Sequence, residues 1–220
     1  MGNLILKDVL IQKKYFIFFI AFSIIVSLFY SRMGSLYMNF VFIMIPTMVA
    51  MGFITNCSIK DEKAENMINS LPVKRIDVIM AKYMAMLLFI VIGSGIIFIS
   101  SSALNFIGII HLERLMNFRD IGICFGIVIF LSSIFLPVNF KLGYSKSRYL
   151  VMILYIGIFF VISFTGNSKY KRVELINRLI YYLNNAQTWQ IVLLIACLLG
   201  IIMLVSFSIS CYLYKNKDLN

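Results

Sequence analysis

The sequence predicts an all-α integral membrane protein with six transmembrane helices, and three observations carry that prediction. Apolar residues make up 61% of the 220 residues and the mean hydropathy is +0.95, a balance that leaves too little polar surface for a soluble domain. Six long apolar stretches fill most of the chain, and nearly all charge falls in the gaps between them. With no water in the bilayer core, the backbone groups of each stretch must pair within it. The stretches are therefore helices, since the alternating segments of an outer-membrane barrel are absent.

The hydrocarbon core is about 30 Å thick and asks for roughly 20 mostly apolar residues per crossing. The spans read as Tyr15–Tyr30, Leu36–Thr55, Tyr83–Ile110, Ile121–Asn139, Tyr149–Thr165 and Trp189–Tyr214, none with an interior Asp, Glu, Lys or Arg. A single membrane domain over residues 1–220 accounts for the whole sequence.

Residues 1–14 are too polar to span. Leu6, Val9 and Leu10 fall at helical spacing, and Lys7, Lys13 and Lys14 reach for headgroups, so a short interfacial helix is expected here; an unstructured leader is the alternative. The first span lacks a small-x-small cleavage pattern after it and reads as an uncleaved helix. Gly2 is not a myristoylation site, because Leu6 stands where Ser or Thr is wanted.

The formal charge of +11 follows the gaps between spans and so reflects the positive-inside rule; nucleic acid is not an expected partner. With the N-terminus cytoplasmic, the inner pieces hold 13 Lys and Arg, from Lys7 to Lys217, and the outer pieces hold 7, from Arg32 to Arg178. Both termini are therefore expected inside.

Residues 56–82 form the only long cytoplasmic segment. Asp61 and Glu62 suit the first turn of a helix, and Ala64, Met67, Ile68 and Leu71 follow on one apolar face. Pro72 stops that helix, since it has no amide proton and its ring clashes with the preceding turn. Lys74 and Arg75 sit just past the corner. A second helix with Ile76, Ile79, Met80, Tyr83 and Met84 on one face then leads into the third span. On the outer side, residues 166–188 place Val173, Ile176, Leu179, Ile180 and Leu183 opposite Lys169, Lys171, Arg172 and Arg178. That pattern predicts a helix on or dipping into the outer surface; ordinary interfacial packing satisfies the composition equally well.

Pro46 and Pro137 fall inside spans two and four, where proline frees a carbonyl and bends the helix. A bent helix lines a path or rocks between states, but prolines also serve packing alone. Gly122 and Gly126 form a GxxxG pair that permits close helix contact.

Several chemistries are missing. Cys57, Cys124, Cys197 and Cys211 have no CxxC spacing and His111 is the single histidine, so no metal site is expected and the cysteines read as apolar filler. No intramembrane base stands beside Ser94, Ser100, Ser101 or Ser102, no HExxH occurs, and no carboxylate pair lies at membrane depth. An enzyme is not expected, and neither is a cofactor site. Asn39, Asn105 and Asn139 are the strongest polar groups near the spans, which fits poorly with ion-coupled transport. There is no GxxxxGK[ST] loop, so energy for uphill movement would have to come from another subunit.

The stretch Ser70-Leu71-Pro72-Val73-Lys74-Arg75-Ile76-Asp77-Val78-Ile79-Met80-Ala81-Lys82-Tyr83 resembles the "sLPvsR..iv.aKY" stretch of small bacterial ABC-2 type transporter permeases, including the membrane subunits of peptide exporters of the phenol-soluble modulin type. Lys74 stands where that pattern often has Ser. The architecture is similar over the whole length and the motif over Asp61 to Tyr83. The resemblance implies a coupling helix that docks on a separate ABC ATPase subunit. It implies that contact for Asp61, Glu62, Ala64, Glu65, Met67, Ile68, Leu71, Pro72, Lys74 and Arg75. It further implies ATP and Mg bound by that partner, a second permease copy as homodimer or heterodimer, and a bacterial cell membrane as location. It also implies that the helix at 166–188 helps close an exit. The expected function is export of amphipathic peptides or hydrophobic compounds, and the alternative is a non-transporting membrane subunit for peptide immunity, sensing or assembly.

Overall fold

A computed structural model describes residues 2–31, 35–63, 75–108, 115–144, 146–147, 149, 152–153, 156–157 and 188–215. Six helices are given there: α1 (Gly2–Ile11), α2 (Lys13–Ser31), α3 (Ser35–Lys63), α4 (Arg75–Phe106), α5 (Phe118–Leu142) and α6 (Thr188–Lys215). No strand occurs among the described residues. Four of the helices are long and apolar enough to cross a membrane, and a fifth crossing is added if α1 and α2 count as one bent span. The expected fifth span at Tyr149–Thr165 lies largely outside the described residues, as do the outer segment at 166–187 and the corner from Ala64 to Lys74.

The first expected span begins earlier than its hydropathy suggests. α1 and α2 meet at Gln12 with a 52° bend, so the leading segment is helical and joined directly to the crossing. Leu6 and Leu10 face outward, while Asp8 is buried against α4.

The elbow also differs. Asp61 and Glu62 lie within α3, which is helical up to Lys63, the last described residue before the elbow, and do not open a separate helix. The run Lys60-Asp61-Glu62-Lys63 contains no glycine or proline, so nothing stops the helix where hydropathy falls. α4 leaves the elbow at Arg75 and continues unbroken for 32 residues, as the second elbow helix was expected to do. The proposed single face divides into two stripes. Ile79 and Tyr83 are buried together with Met86 and Ile90, whereas Ile76, Met80 and Met84 lie outward with Leu88 and Val91. A helix between protein and lipid is apolar all round, so hydrophobicity alone does not separate the stripes.

α3 is the central helix, packed against α2, α4 and α5. Its membrane-length window is 67% buried, against 6% for α6, which packs on α5 and α4 at the edge of the bundle. The core is built from Phe42, Phe53, Phe89 and Phe135, each fully buried. Phe53 lies 5.1 Å from Phe16, 4.9 Å from Phe19 and 5.3 Å from Phe89 between ring centres, tying α2, α3 and α4. Two glycines make this closeness possible. A Cβ on Gly52 would lie 2.8 Å from the Phe19 ring, and one on Gly93 would lie 2.9 Å from the Pro46 carbonyl oxygen.

Both prolines are buried within continuous helices. Lacking an amide proton, Pro46 and Pro137 remove the helical partners of the Phe42 and Ser133 carbonyls four residues earlier. Neighbouring helices supply replacements. The Cys124 thiol on α5 lies 3.5 Å from the carbonyl oxygens of Phe42 and Ile43, and the Ser206 hydroxyl on α6 donates to the Ser133 carbonyl at 2.7 Å. Cys124 is therefore more than apolar filler, as is Cys57, which accepts from the Gln12 amide at 3.0 Å and lies 3.6 Å from the Asp8 carbonyl oxygen.

Candidate functional site

One set of buried polar groups gathers at one level, within ten residues of Lys63 on α3, Arg75 on α4, Leu142 on α5 and Lys215 on α6, while Ser23 and Ser100 pair at another level. Hydrogen bonds at this level join α1, α3, α4, α5 and α6. Their arrangement follows from antiparallel packing, which brings the start of α4 beside the ends of its neighbours.

The first cluster fastens the α1–α2 bend to α3. Gln12 is fully buried; its amide nitrogen donates to the Phe53 carbonyl at 2.9 Å, and its amide oxygen accepts from Asn56 at 2.8 Å. A buried primary amide without partners is costly, so the bend is held in one register on α3.

Lys82 and Tyr83, adjacent on α4, reach in two directions. The Lys82 ammonium contacts the Asp8 carboxylate at 2.7 Å, with the Asp8 side chain only 2% exposed. Lys7 stands 3.6 Å from the other Asp8 oxygen. Removing either partner of a buried pair strands the other charge, so this pair locks α1 to α4. On the next residue, the Tyr83 hydroxyl lies 2.7 Å from Ser206 and 3.0 Å from Ser210 on α6. Its ring meets Phe207 edge-on at 5.5 Å.

The directions of these bonds follow from the donor inventory. Ser206 gives its single proton to the Ser133 carbonyl. It must therefore accept from Tyr83, and Tyr83, its proton committed, accepts from Ser210. A one-way chain runs from Ser210 through Tyr83 and Ser206 to the carbonyl exposed by Pro137. Such chains strengthen cooperatively in a low dielectric. Nearby, Asn139 on α5 donates to Ser58 on α3 at 3.1 Å and accepts from Ser147 at 3.2 Å.

The residues assigned by sequence divide around this layer. Pro137 lies inside it, and Pro46 lies away from it, under Gly93. Gly126 faces Leu199 of α6, and Gly122 has no described atom within 4 Å of its Cβ position. Asp61 and Glu62 lie at the end of α3 and Arg75 at the start of α4, flanking the corner; Ala64, Glu65, Met67, Ile68, Leu71, Pro72 and Lys74 lie outside the described residues.

Sequence reasoning missed Asp8, Gln12 and Ser206, and with them the pairing of Lys82 and Tyr83. Signals were present. Asp8 is the only acid before Asp61, in a leading segment otherwise basic. Ser206 and Ser210 are four residues apart, which puts them on one helix face. Ser208, between them, faces outward and bonds its own helix at Leu204. Among the described residues, no group of three or more His, Cys, Asp or Glu side chains is placed to hold a metal.

Fold and site together define a multi-pass helical membrane protein whose buried polar groups bridge its helices. The chain belongs to the ABC-2 transporter family: the family model for ABC-2 family transporter protein matches residues 3–215. It is thus the membrane permease of an ABC transporter, of a kind that is generally not catalytic itself. No curated protein and no solved structure is matched by this chain.

Proposed function

We propose that this chain is the permease subunit of an exporter driven by a separate ABC ATPase, which grips the segment from Asp61 to Arg75 on the cytoplasmic side. The permease binds no nucleotide; ATP and Mg sit in the ATPase. Two permease copies, identical or sister chains, pair with two ATPases in a bacterial cell membrane and move amphipathic peptides or hydrophobic compounds outward. One observation carries this reading. α4 emerges from the corner at Arg75 as a single helix and, within eight residues, engages α1 through Lys82 and α6 through Tyr83. A push on the corner therefore reaches three helices at once. The buried Asp8–Lys82 pair neutralises itself, and the other buried polar groups among the described residues are hydroxyls, the Gln12 and Asn56 amides and Asp120 in the first turn of α5, a set that favours amphipathic cargo over ions.

The test is co-expression and purification of the permease with a candidate ABC ATPase subunit. Met67→Asp combined with Ile68→Asp should abolish co-purification and leave membrane insertion intact, because two charges in an apolar docking face forfeit its hot-spot burial. Retained association at wild-type levels would remove the elbow from the docking role.

A further inference from the structure

We infer that Tyr83 is the positioning residue that carries movement of the coupling segment into α5 and α6, by holding Ser206 against the carbonyl which Pro137 leaves without a helical partner. The inference rests on the reading of the elbow as the ATPase contact, and adds to it a route through named atoms.

Three features of the bundle support the route. The first is location. Tyr83 lies eight residues into α4, so it moves with the corner as one rigid helix. The second is the target. Pro137 removes one backbone bond from α5, making the turn from Ser133 to Pro137 the softest place along that helix. Ser206 occupies the vacant carbonyl at 2.7 Å. Whatever displaces Ser206 removes the support of that turn directly. The third is the fixed polarity of the chain. Tyr83 donates to Ser206, since Ser206 has already given its proton to Ser133. Rotation of α4 that draws Tyr83 away leaves Ser206 without its donor and weakens its hold on α5. Ser210 keeps Tyr83 aimed at Ser206, and Phe207 packs against the ring edge to limit its swing. At the other proline the donor is of a different kind. The Phe42 carbonyl is served by Cys124, a weak donor fully buried among apolar side chains.

The measurement is hydrogen exchange of the permease–ATPase complex in lipid nanodiscs, compared between ADP and ATP with vanadate. In the wild type, exchange should change by several-fold at the start of α4 and around residues 133–142 of α5. Tyr83→Phe removes only the hydroxyl and keeps the ring. It should retain the change in α4 and the association with the ATPase, and lose the change in α5. Ser206→Ala should behave the same way, and Ser206→Thr, which keeps the hydroxyl, should restore the response in α5. A purely structural role would instead raise exchange in both nucleotide states and leave their difference intact. If Tyr83→Phe transmits the change to α5 as the wild type does, the route is overturned and the coupling role of the elbow stands. If the wild-type complex shows no nucleotide-dependent change at the start of α4, the coupling role itself fails, and the route with it.

Discussion

Pro46 and Pro137 each remove one backbone hydrogen bond from α3 and α5, yet the two gaps sit in different surroundings. At Pro46 the repair is compact and apolar. A thiol covers the freed carbonyl, and Gly93 of α4 comes so close that its missing side chain is a condition of packing. At Pro137 the repair is a string of three hydroxyls that crosses to α6 and returns to the base of α4. The first gap is filled by shape, and the second is held by directional bonds with a fixed donor order. Shape alone resists compression but not sliding, whereas a hydrogen-bond chain fixes register. The comparison teaches that a proline in a membrane helix acquires its meaning from what reaches across to the carbonyl it frees.

Three substitutions test this contrast. The largest effect is expected from Gly93→Val. Even a Cβ there meets backbone oxygen at 2.9 Å, and backbone cannot rotate aside, so the branched side chain must separate α3 from α4. A loss of about 3 kcal/mol is expected from such overpacking, seen as a fall in the thermal midpoint or as aggregation on gel filtration in detergent. Wild-type stability in this variant would show that Pro46 is not closely packed. Ser206→Ala comes next. It leaves the Ser133 carbonyl and the Tyr83 hydroxyl short of a partner, and interhelical bonds in membranes average about 0.6 kcal/mol with a maximum near 1.7. Two such bonds predict a loss of roughly 1–2 kcal/mol, measured as a shift in the unfolding midpoint in mixed micelles. The smallest effect belongs to Cys124→Ala, which removes weak thiol contacts and a small buried volume. It should cost under about 1 kcal/mol and less than Ser206→Ala in the same titration. The reverse order would erase the distinction between the two prolines.

The spans were legible because burial in lipid demands long apolar helices whatever the neighbours are. Five expected spans correspond to α2 through α6, with ends shifted by up to eight residues. The largest shifts fall beside the elbow, where α3 is helical past Thr55 to Lys63 and α4 is already helical at Arg75, because a helix continues past the fall in hydropathy where no breaker stops it. The polar layer was less legible. Lys82 was counted as an inner-side charge, and Tyr83 as one apolar position on an amphipathic face; neither description contains a partner. The apolar spans were read as free of charge, but Asp8 lies outside them and is carried inward by the 52° bend at Gln12.

What the amino-acid sequence determined by itself is the solvent: a helical, multi-pass membrane chain with prolines at two positions inside its helices and a long polar stretch of sequence between α3 and α4. Membership of the ABC-2 family follows from the same residues. What the tertiary structure decided is which groups meet. Asp8 with Lys82, Gln12 with Asn56, and Tyr83 with Ser206 are separated by 74, 44 and 123 positions along the chain. Local propensity acts over a few residues and hydropathy over one crossing, so neither reports a contact made across the bundle. That contact exists only once the helices have chosen their neighbours and their rotation.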